Sequence, residues 1–132
     1  MSTLVVTTPP DIRAIRGSIE LVLAADIPRS DPNDPESRDA PEKRFSGAEL
    51  ETFASTYRAH IETLIPAVQA WAEQLPERHP NRVSALLCVG QVQLMRLGLG
   101  PGDTDAIRGS IASRLARLVR TLCGHYDRLV PR

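Results

Sequence analysis

The chain has 132 residues, 16 Lys+Arg against 16 Asp+Glu for a formal net charge of zero, 42% hydrophobic residues and only 4% aromatics. That length fits one domain, residues 1–132, able to bury a core without metal or disulfide staples; with so few rings the core must be Leu, Ile, Val and Ala. The charge balance argues against a strongly basic nucleic-acid binder, no apolar run reaches the about 20 residues of a membrane span, and Met1-Ser2-Thr3-Leu4-Val5-Val6-Thr7-Thr8 lacks the basic start of a secretory signal.

A cytoplasmic protein is therefore expected, with Cys88 and Cys123 reduced and serving as small buried hydrophobes. Charge is unevenly spread. Residues 1–80 hold 8 basic and 13 acidic side chains, residues 81–132 hold 8 and 3, so the two halves should attract one another within the fold.

Residues 1–8 read as an N-terminal arm whose one apolar stretch is Leu4-Val5-Val6. The first helix is predicted over 9–26, with Thr8 as N-cap, Pro9 and Pro10 in the first turn and Asp11 at N3. Ile12, Ile15, Ile19, Val22 and Leu23 share one face, and Pro28 stops the helix. Residues 28–45, with Pro28, Pro32, Pro35 and Pro41 among polar residues, read as a long flexible Pro-rich linker without chemistry of its own.

The second helix is predicted over 46–75. Ser46-Gly47-Ala48-Glu49 is a capping box, and Leu50, Phe53, Tyr57, Ile61, Leu64, Val68, Trp71 and Leu75 follow at steps of three and four. Pro66 points away from that stripe, so one bent helix is expected rather than two.

The third helix is predicted over 81–97, with His79 in the preceding loop positioned to cap it. Val83, Leu86, Leu87, Leu94 and Leu97, with Gly90, are assigned to its core face. Ala85, Cys88, Val89, Val92 and Met95 then fall on the back, and a helix apolar all round needs cover on both sides. This back face is the predicted interface, for a homodimer or another protein partner.

Gly98-Leu99-Gly100-Pro101-Gly102 breaks the chain, and Asp103 or Thr104 caps a last helix over 104–129. Ile107, Ile111, Leu115, Leu118, Val119, Leu122, Tyr126 and Leu129 point inward; Arg108, Arg114, Arg117, Arg120 and Arg128 are assigned to a solvated back. The expected fold is all-α, a four-helix up-down bundle with short second and third connections. Ala-Ile-Arg-Gly-Ser-Ile occurs at 14–19 and again at 106–111; the match stops after six residues and reads as coincidence of helical composition.

No pattern of catalytic or metal-binding spacing is present, and no cofactor is implied. Cys123 and His125 project about 200° apart on a helix and cannot form a thiolate–imidazole pair. His125 is expected to anchor the last turn through a hydrogen bond. His60, Trp71, His125 and Tyr126 are the candidate lining of a small-ligand pocket. The arginines of the last helix carry the alternative of a nucleic-acid-binding regulator, which the neutral charge and missing aromatic platform disfavour.

Glu49-Leu50-Glu51-Thr52, Leu64-Ile65-Pro66-Ala67-Val68, Arg82 through Gly90, and Leu122-Cys123-Gly124-His125-Tyr126-Asp127-Arg128-Leu129 resemble a family of short actinobacterial helical proteins. That family is a domain of unknown function often labelled natural-product biosynthesis protein, and the likeness spans about residues 12–130. Its members typically end in a Leu-Cys-Asp-His-Tyr-Glu-Asn-Leu motif; here Gly124 replaces the acid and Asp127-Arg128 replace Glu-Asn. The resemblance implies a setting in specialised metabolism and supplies no catalytic residues. A non-catalytic interaction or accessory protein is the leading expectation.

Overall fold

The computed structural model describes residues 9–25, 41–100 and 102–131. Among these, four helices follow in order: α1 (Ile12–Ala25), α2 (Gly47–Glu73), α3 (Pro80–Leu97) and α4 (Asp105–Leu129), with a 3-10 turn at Pro41–Lys43 before α2. The expected arm over 1–8, the Thr8 cap and most of the proline-rich linker lie outside the described residues.

Each helix start has a chemical cause. Asp11, placed by the sequence reading inside the first turn, instead caps α1: its Oδ1 accepts from Ala14 N at 3.1 Å. Ser46 and Glu49 close the capping box of α2 with bonds of 3.1 and 3.0 Å. His79 Nδ1 accepts from Asn81 N at the start of α3, and Thr104 Oγ1 accepts from Ile107 N at the start of α4. Pro66 is exposed within an unbroken α2, where its missing N–H faces water.

The helices alternate in direction. The starts of α2 and α4 meet, with Arg108 reaching Glu51 at 3.2 Å, and their far ends meet at Trp71 and Tyr126. They are therefore parallel. α1 runs against both, pairing Arg16 with Asp127, and α3 runs against α2, with Arg82 bonded to the carbonyls of Glu73 and Leu75. The order is up-down-up-down. α2 and α4 form the most extensive contact, and α1 and α3 flank this pair on separate sides without touching each other. One apolar cluster joins all four helices.

This flattened arrangement makes α4 the central helix. Besides its leucines it buries Gly109, Ala112, Ser113, Ala116 and Cys123, a much wider arc than the sequence suggested. Small side chains on that arc let α1 and the 3-10 turn approach closely; at Gly109 an added Cβ would strike Glu42. The stretch 41–45, assigned to the flexible linker, also departs from expectation. Pro41 is buried, and Phe45 packs edge-on against Phe53 with ring centroids 4.9 Å apart.

The largest departure is the orientation of α3. Ala85, Cys88, Val89 and Val92 face α2 and α4 and are buried, whereas Val83, Leu87, Leu94 and Leu97 point outward. The predicted interface residues thus belong to the chain's own core, except Met95, which is exposed. The reason is size: a helix seated in the groove beside a closely paired α2 and α4 fits best by its small side chains, and total hydrophobicity did not distinguish the two faces.

Candidate interaction surface

Val83, Leu87, Gly90, Leu94 and Leu97 recur at steps of four, three, four and three along α3, the spacing of a helix–helix seam. Their exposures are 46% for Val83, 64% for Leu87, 74% for Leu94 and 81% for Leu97. Met95 on the flank and Ile107 at the start of α4 are also about half exposed. The polar neighbours of the stripe, Ser84, Gln91 and Gln93, are uncharged. The two charges of α3 are turned toward α2: Arg82 donates to its last carbonyls, and Arg96 approaches Glu62 at 3.9 Å.

The four residues expected to line one ligand pocket do not converge. Trp71 and Tyr126 do share a cavity of about 660 Å³, with Pro9, Pro10, Glu62, Thr63, Pro66, Ala67 and Ala70 completing the wall. His60 lies three turns before Trp71 and faces α1, with Nε2 3.3 Å from Ser18 Oγ. His125 lies on the edge of α4 and does not line the cavity. No hydrogen bond holds its ring among the described residues, contrary to the expected anchor. Burial lowers the pKa of both imidazoles, and Arg128 lowers that of His125 further.

Sequence reasoning missed the hub at Ser18. Tyr57 Oη donates to Ser18 O at 2.8 Å, and Ser18 Oγ donates to Ile15 O at 2.7 Å while meeting His60. Desolvation pushes the Tyr57 phenol up to about 12. Nothing in the local pattern marks Ser18, because Tyr57 and His60 lie about forty residues away. The cluster joins α1 to α2 and leaves His60 only partly exposed.

Arg108, expected in solvent, instead joins the starts of α2 and α4. It bonds Glu51 and Asp105 and lines a cavity of about 220 Å³ with Leu50, Ala54, Arg58 and Ile111. Arg58 donates to Leu99 O at 3.1 Å. Both guanidinium groups thus already have acceptors. Arg114, Arg117, Arg120 and Arg128 remain on the exposed arc of α4. Cys88 and Cys123 are both buried and unpaired, and desolvation raises both thiol pKa values, which suits packing rather than nucleophilic chemistry.

Among the described residues no helix is long and apolar enough to cross a membrane, and no three His, Cys, Asp or Glu side chains gather as a metal site. Neither a curated protein nor a solved structure matches the chain. A family model does match, over residues 13–131, which takes in all of the four helices but the first residue of α1, and the outward stripe of α3: the chain belongs to a family of unknown function, DUF6415.

Proposed function

We propose that the protein is a non-catalytic helical interaction protein that docks through the outer face of α3. The observation that carries this reading is the uncharged stripe of Val83, Leu87, Gly90, Leu94 and Leu97, whose three leucines are between 64% and 81% exposed. Leaving such a stripe in water costs solubility without contributing to the chain's own core, and contiguous apolar patches of this kind mark interaction sites. The likeness of the Leu122–Leu129 segment to actinobacterial natural-product proteins supports a setting in specialised metabolism. A photo-crosslinking amino acid placed at Leu94 in the native host tests the reading. Discrete adducts are expected from that position and not from Ala59, which is exposed on α2. An equal, diffuse yield from both positions would contradict it.

The Trp71–Tyr126 cavity supports a second reading, small-ligand binding, because its volume is of the size that small ligands occupy. Trp71 is the only tryptophan, so its fluorescence reports occupancy directly. Saturable quenching by an extract of host metabolites, abolished in Tyr126→Ala, is the outcome that reading requires.

A further inference from the structure

We infer that the occupant of the outer face of α3 is α3 of a second copy of this chain, packed antiparallel about a two-fold axis at Gly90. This rests on the docking reading above and names its partner.

Three observations lead to it. The first is register. The exposed stripe runs from Val83 to Leu97 with Gly90 at its midpoint. A two-fold through residue 90 sets Leu97 of one copy over Val83 of the other, and Leu94 over Leu86 and Leu87. The large side chains of the stripe then each meet an apolar one, and the surface is self-complementary, as a two-fold interface requires. Gly90 falls where the helix axes come closest. A Cβ there would meet nothing within 4 Å inside the chain, so the glycine answers no need of the chain's own packing. A bare backbone at the crossing point allows close approach of a second helix.

The second observation is charge. The stripe and its borders carry none, and Arg82 and Arg96 are engaged on the α2 side. Two copies therefore face each other without like-charge repulsion, and the chain has zero formal net charge. A strongly acidic or basic partner would find nothing on this face to pair with.

The third is area. Val83, Leu87, Leu94, Met95 and Leu97 each expose about half of their surface or more. Together they match the largest apolar patch of a typical monomer, about 300–600 Å². Two such patches remove about 1,000 Å² from water, the threshold for a specific interface. An 18-residue helix provides the length for it.

Sedimentation velocity across micromolar concentrations tests the inference. The wild type is expected at twice the chain mass of 14.5 kDa, and Leu87→Glu/Leu94→Glu at the chain mass with unchanged helical circular dichroism. Ala59→Glu should leave the dimer intact. A wild type that stays at the chain mass overturns the second copy; if the Leu94 crosslink in the host still gives a discrete adduct, docking survives with a different partner. Oxidative crosslinking tests the direction. Gly90→Cys is expected to form a covalent dimer, since an antiparallel crossing brings residue 90 against its own copy, and Val83→Cys is not. Crosslinking of Val83→Cys to itself would mean parallel helices and would overturn the proposed geometry.

Discussion

α3 and α4 pack against the same neighbour, α2, but place their side chains oppositely. α4 turns Leu115, Leu118, Leu122 and Leu129 inward and arginines outward. α3 turns Ala85, Cys88, Val89 and Val92 inward and Leu87, Leu94 and Leu97 outward, with Leu86 partly buried against the core. The difference follows from position. α4 lies at the centre, touched by the other three helices and by the 3-10 turn, so its large apolar side chains, apart from Ile107 at its start, find a partner. α3 sits on one flank, and only the side with small residues fits the groove beside α2 and α4. Leu87, Leu94 and Leu97 are then left exposed, and the proposed docking rests on them.

The sharpest way to break this comparison is to put the same charge on each face of α3. Val92→Asp buries an unpaired carboxylate and is expected to cost about 3–5 kcal/mol. Leu94→Asp, two residues on, should change monomer stability by no more than about 0.5 kcal/mol. Urea denaturation in dilute solution, where association is absent, measures both. Equal losses would show that the two faces are not distinguished as described.

The repeated hexapeptide offers a second contrast. Gly109 in α4 lies against Glu42, whose backbone N is 3.2 Å from where a Cβ would be, whereas Gly17 in α1 has open space around it. Gly109→Ala is expected to destabilise by about 1–3 kcal/mol through overpacking. Gly17→Ala should stabilise by roughly 0.5–1 kcal/mol through helix propensity. Thermal unfolding of the two variants reads the opposite signs, and a stabilised Gly109→Ala would contradict the close approach of the 3-10 turn.

The α1–α2 hub gives smaller effects. Tyr57→Phe removes the bond to Ser18 O and should cost about 0.5–1.5 kcal/mol. Because burial raises the Tyr57 pKa to about 12 from 10, the unfolded chain releases that proton first. Stability present below pH 10 is therefore expected to be lost as pH rises toward 12, and Tyr57→Phe should flatten that decline. His60 and His125 act at the other end. Their folded pKa values lie below the ordinary imidazole value of 6.5, so the unfolded chain takes up protons first and stability should fall as pH drops below about 6.5. Urea midpoints between neutral and mildly acidic pH check this; His60→Gln should reduce the slope, and a slope identical to wild type would assign it elsewhere.

Helix number, order and the caps of α2, α3 and α4 were readable because they depend on local rules: the Ser46–Glu49 box, His79 before Pro80, and the glycines before Thr104 each act within a few residues. Three features were not. The broad buried arc of α4 is made of Gly109, Ala112, Ser113 and Ala116, small residues that periodicity scales hardly weigh. The Tyr57–Ser18–His60 contacts join residues far apart in the chain. The two faces of α3 are both apolar, so hydrophobic pattern alone left the choice between them undetermined; shape against α2 and α4 decided it. The same ambiguity explains why the candidate pocket came apart. Trp71 and Tyr126 meet because α2 and α4 are parallel, and no single helix carries that information.

The inward orientation of α3 is the claim from which the docking face follows, and Cys88 tests it directly. Cys88 and Cys123 are both buried and both have raised thiol pKa values. With a maleimide reagent on the dilute native protein, followed by mass spectrometry, neither thiol should be labelled until denaturant is added, when both should react. Rapid labelling of Cys88 in the native protein, with Cys123 still protected, would turn α3 around and contradict the account.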